Sequence, residues 1–307
     1  MTPKATLSVF LAGLLAAAAL VSAVPARAQP QAPETLTGTL AKVRETGAIT
    51  IGYRESSVPF SFLNARKEPI GYSIELCRAL VTAIEDAVNK SLAIKWSPVT
   101  SDSRIDAVES GAVDLECGST TNNLERQKRV SFSPTIFVSG TKVLVKKGSP
   151  IKSFRDLAGK RVAVTAGTTN EKTLRELSQK FKLGINLLVS RDHADSFGLV
   201  KSGQADAFAT DDVLLYGLIA RDAAKAEYEV VGDYLSYDPY GIMYRKGDAQ
   251  LRKVINDTFQ VLAEDGEIER QYKRWFLRKL PTGESINLPM SAQLEAIIQT
   301  MAVKAAE

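Results

Sequence analysis

Residues 116–128 read Glu-Cys-Gly-Ser-Thr-Thr-Asn-Asn-Leu-Glu-Arg-Gln-Lys, a run of small, hydroxyl and amide side chains after a short apolar stretch. A strand that ends in such residues and passes into a helix exposes backbone N–H groups. Together with Ser119 and Thr121 these suit a carboxylate. Arg126 stands in the first turns of that expected helix, where a cation gains nothing from the helix dipole. A bidentate grip on a ligand carboxylate would give it a reason. Taken alone, the hydroxyls read as plain N-caps, and Arg126 as part of a solvated face. Ala166-Gly-Thr-Thr-Asn170 repeats the design before a helix expected from Glu171. Thr168 and Thr169 offer N–H and hydroxyl groups there, with N-capping again the alternative. Asp211 ends an apolar run and suits a ligand ammonium through a charge-assisted hydrogen bond. Asp212 is its rival for that role, and helix capping is a third reading of both. Arg54 follows the first strand, Arg104 opens a helix and His193 starts another. Each alone reads as a surface or capping residue. Gathered in one cleft, Arg54, Arg104 and Arg126 set three positive charges against one from Asp211. That field matches a ligand with two carboxylates and one ammonium.

Catalysis finds little footing. The chain has one His, so His-rich metal ligation is unavailable. Neither common Gly-rich phosphate loop appears, and no Gly-x-Ser-x-Gly elbow marks a nucleophile. The expectation is a binding protein, with no enzyme activity, no cofactor and no metal.

From Thr39 onward, short apolar strands alternate with amphipathic helices. Strands are expected at 49–53, 92–96 and 113–117. A helix is expected at 73–89, where Ile74, Leu76, Leu80, Val81, Ile84 and Val88 recur near helical spacing. A short helix at 103–110 is stopped by Gly111. The alternation restarts with strands at 161–165, 186–189 and 205–209 and helices at 171–181 and 194–202. This predicts α/β layers with mostly parallel sheets. The two halves match locally. Residues 105–119 align with 197–211, placing Val108 on Val200, Ser110 on Ser202, Gly111 on Gly203 and Asp114 on Asp206. A helix–Gly–strand pattern recurring by chance is the alternative; the reading adopted is two lobes of similar design. Open parallel sheets bind ligands beyond the carboxyl ends of their strands. Ser119 and Asp211 fall at equivalent strand ends, Ser101 and His193 at equivalent helix starts. Facing lobes would bring all four to one cleft. Residues 132–145 and 234–244 would join the lobes, and two crossings permit hinge closure. A helical tail is expected over 251–276 and a last helix over 292–303.

The beginning of the chain predicts an export signal. Lys4 precedes an apolar, Ala- and Leu-rich run at 7–23, and Ala26-Arg27-Ala28 supplies a cleavage pattern. Cleavage is expected after Ala28, giving an exported protein; an uncleaved anchor is the alternative. Loss of Lys4 and Arg27 takes the net charge from +4 to about +2. That balance gives no basis for binding nucleic acid or a membrane surface. The remaining length fits one large or two ordinary domains. Cys77 and Cys117 permit a disulfide in an oxidising compartment; two separate buried thiols are the alternative.

Several segments together resemble the periplasmic glutamate/aspartate-binding proteins of ATP-driven uptake systems, within the extracellular solute-binding proteins of family 3. They are Tyr53-Arg-Glu-Ser-Ser-Val-Pro-Phe-Ser61, Gly71-Tyr-Ser73, Thr100-Ser-Asp-Ser-Arg-Ile105, residues 116–128, Phe132-Ser-Pro-Thr-Ile-Phe-Val138, Gly167-Thr-Thr169, Asp192-His193 with Asp195-Ser196, and Asp211-Asp-Val-Leu-Leu215. The resemblance implies a type II periplasmic binding protein, with two Rossmann-like α/β lobes joined by two hinge crossings. Residues 36–138 and 237–307 would form the first lobe and 139–236 the second, after a signal at 1–28. It implies that Arg126, Thr121 and Thr169 hold the ligand α-carboxylate and Asp211 its ammonium. Arg54, Ser101, Arg104, Ser119 and His193 would surround the side-chain carboxylate. A membrane permease is the implied partner of a monomer. Asp102 and Ser103 depart from the pattern, standing where amides are expected. Tyr240-Gly-Ile-Met lacks a Cys found there in some relatives, so any disulfide would use Cys77 and Cys117. Another amino acid, a small dicarboxylate or a sensory role are the neighbouring alternatives; an exported lyase or hydrolase is the more distant one.

Overall fold

The computed structural model describes Thr2, residues 35–281 and residues 283–303. Thr2 apart, the expected signal at 1–28 and its cleavage site lie outside the described residues. From Leu36 onward the chain forms one compact unit containing two five-stranded sheets. The first has the order Ala93–Pro98, Ala48–Tyr53, Leu115–Glu116, Met243–Arg245, Val130–Phe132. The second has the order Asn186–Ser190, Arg161–Thr165, Ala207–Asp211, Thr141–Lys146, Tyr228–Val231. In each, the first three strands pair parallel and the fourth runs antiparallel to both neighbours. Four of five strands therefore run one way, as the alternating pattern predicts.

The internal match is structural. Asp114 Oδ2 accepts the backbone N–H of Thr50 at 2.9 Å, and Asp206 Oδ2 accepts that of Arg161 at 2.9 Å. Each aspartate, just before the third strand of its sheet, thus ties that strand to the neighbouring second one. Gly111 and Gly203 turn the chain at φ 76° and 75°, a left-handed conformation costly to any residue with a Cβ. The helix Tyr72–Val88 buries Ile74, Leu76, Leu80, Val81, Ile84 and Val88, the stripe its spacing predicts. It ends at Asn89, left-handed at φ 49°. Among the described residues no helix is long and apolar enough to cross a membrane.

Two expectations change. No helix follows Ser119. Thr121 forms a β-bridge with Tyr240, Asn122 N–H donates to Pro239 O at 2.7 Å, and Gly241 N–H donates to Thr120 O at 3.1 Å. A distant strand holds this segment extended, and only a 3-10 turn forms at Arg126–Lys128. The tail also breaks, into Ala249–Glu264 and Glu267–Tyr272 around Gly266 at φ 67°, then widens to a π turn at Lys273–Leu277.

The two lobes are joined by Phe137–Ser139 and Asp238–Tyr240, which pair antiparallel. Both crossings are anchored in one aromatic cluster. Phe60 packs on Phe137 and Tyr240 at 5.0 and 5.1 Å between ring centres, and Phe137 stacks on Phe276 at 5.0 Å. Cys77 and Cys117 are disulfide-bonded, fastening the helix Tyr72–Val88 to the chain just after the strand Leu115–Glu116.

Candidate functional site

Asp211 ends the second lobe's central run of buried residues and is 3% exposed. Its side chain makes no helix-cap bond. Asn170 Nδ2 donates to its Oδ1 at 2.8 Å, and the Tyr240 hydroxyl donates to its Oδ2. Burial and then the charge of Asp238 push this carboxyl up to about 8. Asp212, the rival from sequence, faces elsewhere: its carboxylate accepts from Ser139 Oγ at 2.6 Å, the Val213 N–H at 2.8 Å and the Tyr234 hydroxyl at 2.7 Å.

The structure brings most of the nominated residues together. Ser101, Arg104, Ser119 and Thr121 from the first lobe meet Thr168, Thr169, His193 and Asp211 from the second around a small, nearly filled cavity. Asn170 and Leu214 complete its wall. Arg54 lies just behind it, 1% exposed, with its backbone N–H on Ser61 Oγ at 2.8 Å. Arg126 does not line the cavity. It faces a broader groove open to solvent, where Nη1 donates to Thr121 O at 2.9 Å and Nη2 to Gly167 O at 3.3 Å across the lobes. The lobes are in contact here: a Cβ on Gly167 would stand 2.6 Å from Asp102 Cα.

Several buried polar atoms in this region have no hydrogen-bond partner: both terminal nitrogens of Arg54, Arg104 Nε, the Ser101 and Ser119 hydroxyls and His193 Nε2. Each such group costs about 1–3 kcal/mol, so their convergence requires a reason. The threonines differ. Thr168 Oγ1 caps its helix, accepting from Glu171 N–H at 3.1 Å and donating to Thr165 O at 2.7 Å. That hydroxyl is spent on the N-cap, as the alternative reading has it. Thr121 and Thr169 donate to Asp238 Oδ1 at 3.1 and 2.8 Å.

Electrostatics follow from burial. Arg54 is pulled down to about 10 by burial and then by Arg104; Arg126 falls to about 10 for the same two reasons. Arg104 is lowered mainly by burial. All three remain cationic at neutral pH. Burial, with Arg54 and Arg104 beside it, takes His193 well below its usual value, so its imidazole is neutral. Its Nδ1 lies 2.9 Å from Thr165 Oγ1. The cleft therefore sets cationic, donor-rich groups opposite the Asp211 carboxyl. No group of three or more metal-ligating side chains occurs among the described residues.

Sequence reasoning missed Asn170, Tyr240, Glu116 and Asp238. Asn170 and Tyr240 orient Asp211. Glu116 is fully buried among the arginines, and Asp238 is 2% exposed on the returning crossing. A Glu between Leu115 and Cys117 in an apolar strand was the available signal. Asp238 had none, because its partners are distant in sequence.

Comparison with known proteins agrees with this architecture. The family description bacterial extracellular solute-binding proteins, family 3, matches residues 49–278. An L-glutamate/L-aspartate-binding protein from Pseudomonas aeruginosa is 44% identical, covering 94% of this chain and 95% of its own. A glutamate/aspartate import solute-binding protein from Salmonella typhimurium is 42% identical over 91% and 93%. The solved structure of an ancestral arginine-binding protein bound to arginine superposes with a TM-score of 0.68 at 30% identity, covering 75% of this chain and 98% of that one. The two-lobed architecture is that of the type II periplasmic binding proteins.

Proposed function

Since the chain belongs to the bacterial extracellular solute-binding proteins, family 3, we propose that it binds L-glutamate or L-aspartate and delivers it to the permease of an ATP-driven uptake system. One observation carries this reading: the unpartnered donors of Arg54, Arg104, Ser101, Ser119 and His193 converge where two lobes meet. A side-chain carboxylate accepting from them relieves the burial cost of several groups at once. Arg126, Thr121 and Thr169 take the α-carboxylate, with Thr168 contributing its backbone N–H. Asp211 takes the ammonium. The lobes span 36–138 with 237–307, and 139–236. A ligand touching both favours their closure by its differential affinity for the closed state. The protein acts as a monomer in the periplasm, after loss of residues 1–28, and releases its ligand chemically unchanged. The names of its relatives support this class of ligand.

Titration calorimetry with L-glutamate, L-aspartate and L-glutamine tests the proposal. One of the two acids binds with micromolar or tighter affinity. Glutamine, which leaves buried arginine charge uncompensated, binds at least about tenfold more weakly. Equal affinity for glutamate and glutamine would overturn the assignment.

A further inference from the structure

We propose that Glu116 is a specificity-determining residue, a buried countercharge that anchors Arg104 through Thr120 and leaves the side-chain subsite with the charge to accept one carboxylate. The proposal rests on the acidic-ligand reading above and goes beyond it, because an acid inside an anion-binding pocket opposes the simple charge match.

The geometry is specific. Glu116 is 0% exposed, and its Oε2 accepts from the Thr120 hydroxyl at 2.5 Å. The same Thr120 oxygen accepts from Arg104 Nη1 at 2.7 Å, and Arg104 Nη1 also reaches Ser119 O at 3.2 Å. Glutamate, threonine and arginine thus form one buried chain that fixes the guanidinium facing the cavity. The other carboxylate oxygen, Oε1, has no partner. It lies over Gly118, where a Cβ would come within 2.3 Å of it and 2.9 Å of Arg54 Cγ. Glu116 therefore stands beside both arginines of the subsite.

Charge accounts for the arrangement. Arg54 and Arg104 are 1% and 2% exposed, and two buried cations near each other repel strongly. Glu116 opposes the fall that burial imposes on both guanidiniums. Two cations with one anion leave a single positive charge, which one carboxylate neutralises and an amide does not. A buried carboxylate with no such role would be a pure cost.

The test measures the ratio of L-glutamate to L-glutamine affinity by calorimetry in wild type, Glu116→Gln and Thr120→Val, with thermal melts to confirm folding. Glu116→Gln keeps an acceptor for Thr120 and removes the anion, so the ratio rises at least about tenfold, the effect of a unit charge even about 12 Å away at an effective dielectric of about 20. Thr120→Val keeps the charge and removes the anchor, so the ratio falls. Movement in opposite directions supports the proposal, since a merely structural role would shift both variants alike. An unchanged or lowered ratio in Glu116→Gln overturns it. Should that variant fail to fold, Thr120→Val decides: a lowered ratio supports the anchor and an unchanged one overturns it. A wild type that does not distinguish glutamate from glutamine removes the acidic-ligand reading and this proposal together, before any substitution is considered.

Discussion

With Asp211 holding the ligand ammonium as proposed above, binding is a proton-linked event. The Asp211 carboxyl is pushed from the usual 3.8 to about 8 by burial and by Asp238, so the folded protein without a ligand holds a proton there at pH 7. A group whose folded pKa is raised stabilises the fold at low pH. That stability is lost as pH rises through about 8. An ammonium needs the carboxylate form, so binding at pH 7 releases close to one proton and affinity rises from pH 6 towards 8. Calorimetry in buffers of different ionisation enthalpy checks this; a binding enthalpy independent of buffer would reject it. The arginines separate by position. Arg126 spans Thr121 O and Gly167 O at the mouth, so Arg126→Ala abolishes binding of every amino acid. Arg104 faces the cavity, so Arg104→Ala chiefly erodes the preference for acid over amide. Identical selectivity profiles in the two variants would contradict these roles. Most cavity-facing residues were legible in the sequence because hydroxyls and arginines at strand ends are chemically conspicuous; Asn170 and Leu214 were not. Glu116 and Asp238 were not, because an acid beside cations cancels the charge count that a sequence reading relies on.

The strand Leu115–Glu116 is only two residues long, yet Cys117 and Ser119 follow it directly. The disulfide to Cys77, across 40 residues of chain, fastens the residue that follows it. By the loop-entropy argument, a closed loop of that length contributes about 4 kcal/mol. Replacing both cysteines with serine therefore lowers the melting temperature by about 10 °C and weakens glutamate binding, because Glu116 and Ser119 flank the lost bond. Scanning calorimetry and titration of the double variant check both effects; an unchanged melt would sink the argument. Which elements the sequence revealed depends on how local their causes are. The repeated units at 105–119 and 197–211 were visible because Gly111 and Gly203 each do a short-range job, while Asp114 and Asp206, whose partners Thr50 and Arg161 are distant, showed only through the repetition. The missing helix after Ser119 was not visible, since the competing partner is Tyr240, more than a hundred residues away.

Contacts between the lobes differ in weight. Lys172 Nζ reaches Glu125 Oε2 at 2.7 Å across the mouth, but the two side chains are 59% and 71% exposed. Exposed ion pairs of this kind contribute little and are screened by salt. Glu125→Gln therefore leaves the glutamate affinity within about threefold of wild type; a much larger loss by calorimetry would show the pair to be a true latch. The buried contacts matter more. Thr121 and Thr169, one from each lobe, both donate to Asp238 on the crossing strand, so the junction itself registers whether the lobes are together.

The small cavity is walled by both lobes, and nearly all its lining residues are buried. A ligand held between the lobes, as proposed above, would leave only when the walls part. Its escape is then timed by lobe parting, a motion of the microsecond-to-millisecond class, and not by the breaking of its own contacts. A membrane partner that prised the lobes apart would act as a catalyst of release, shortening the residence time of the ligand without touching it.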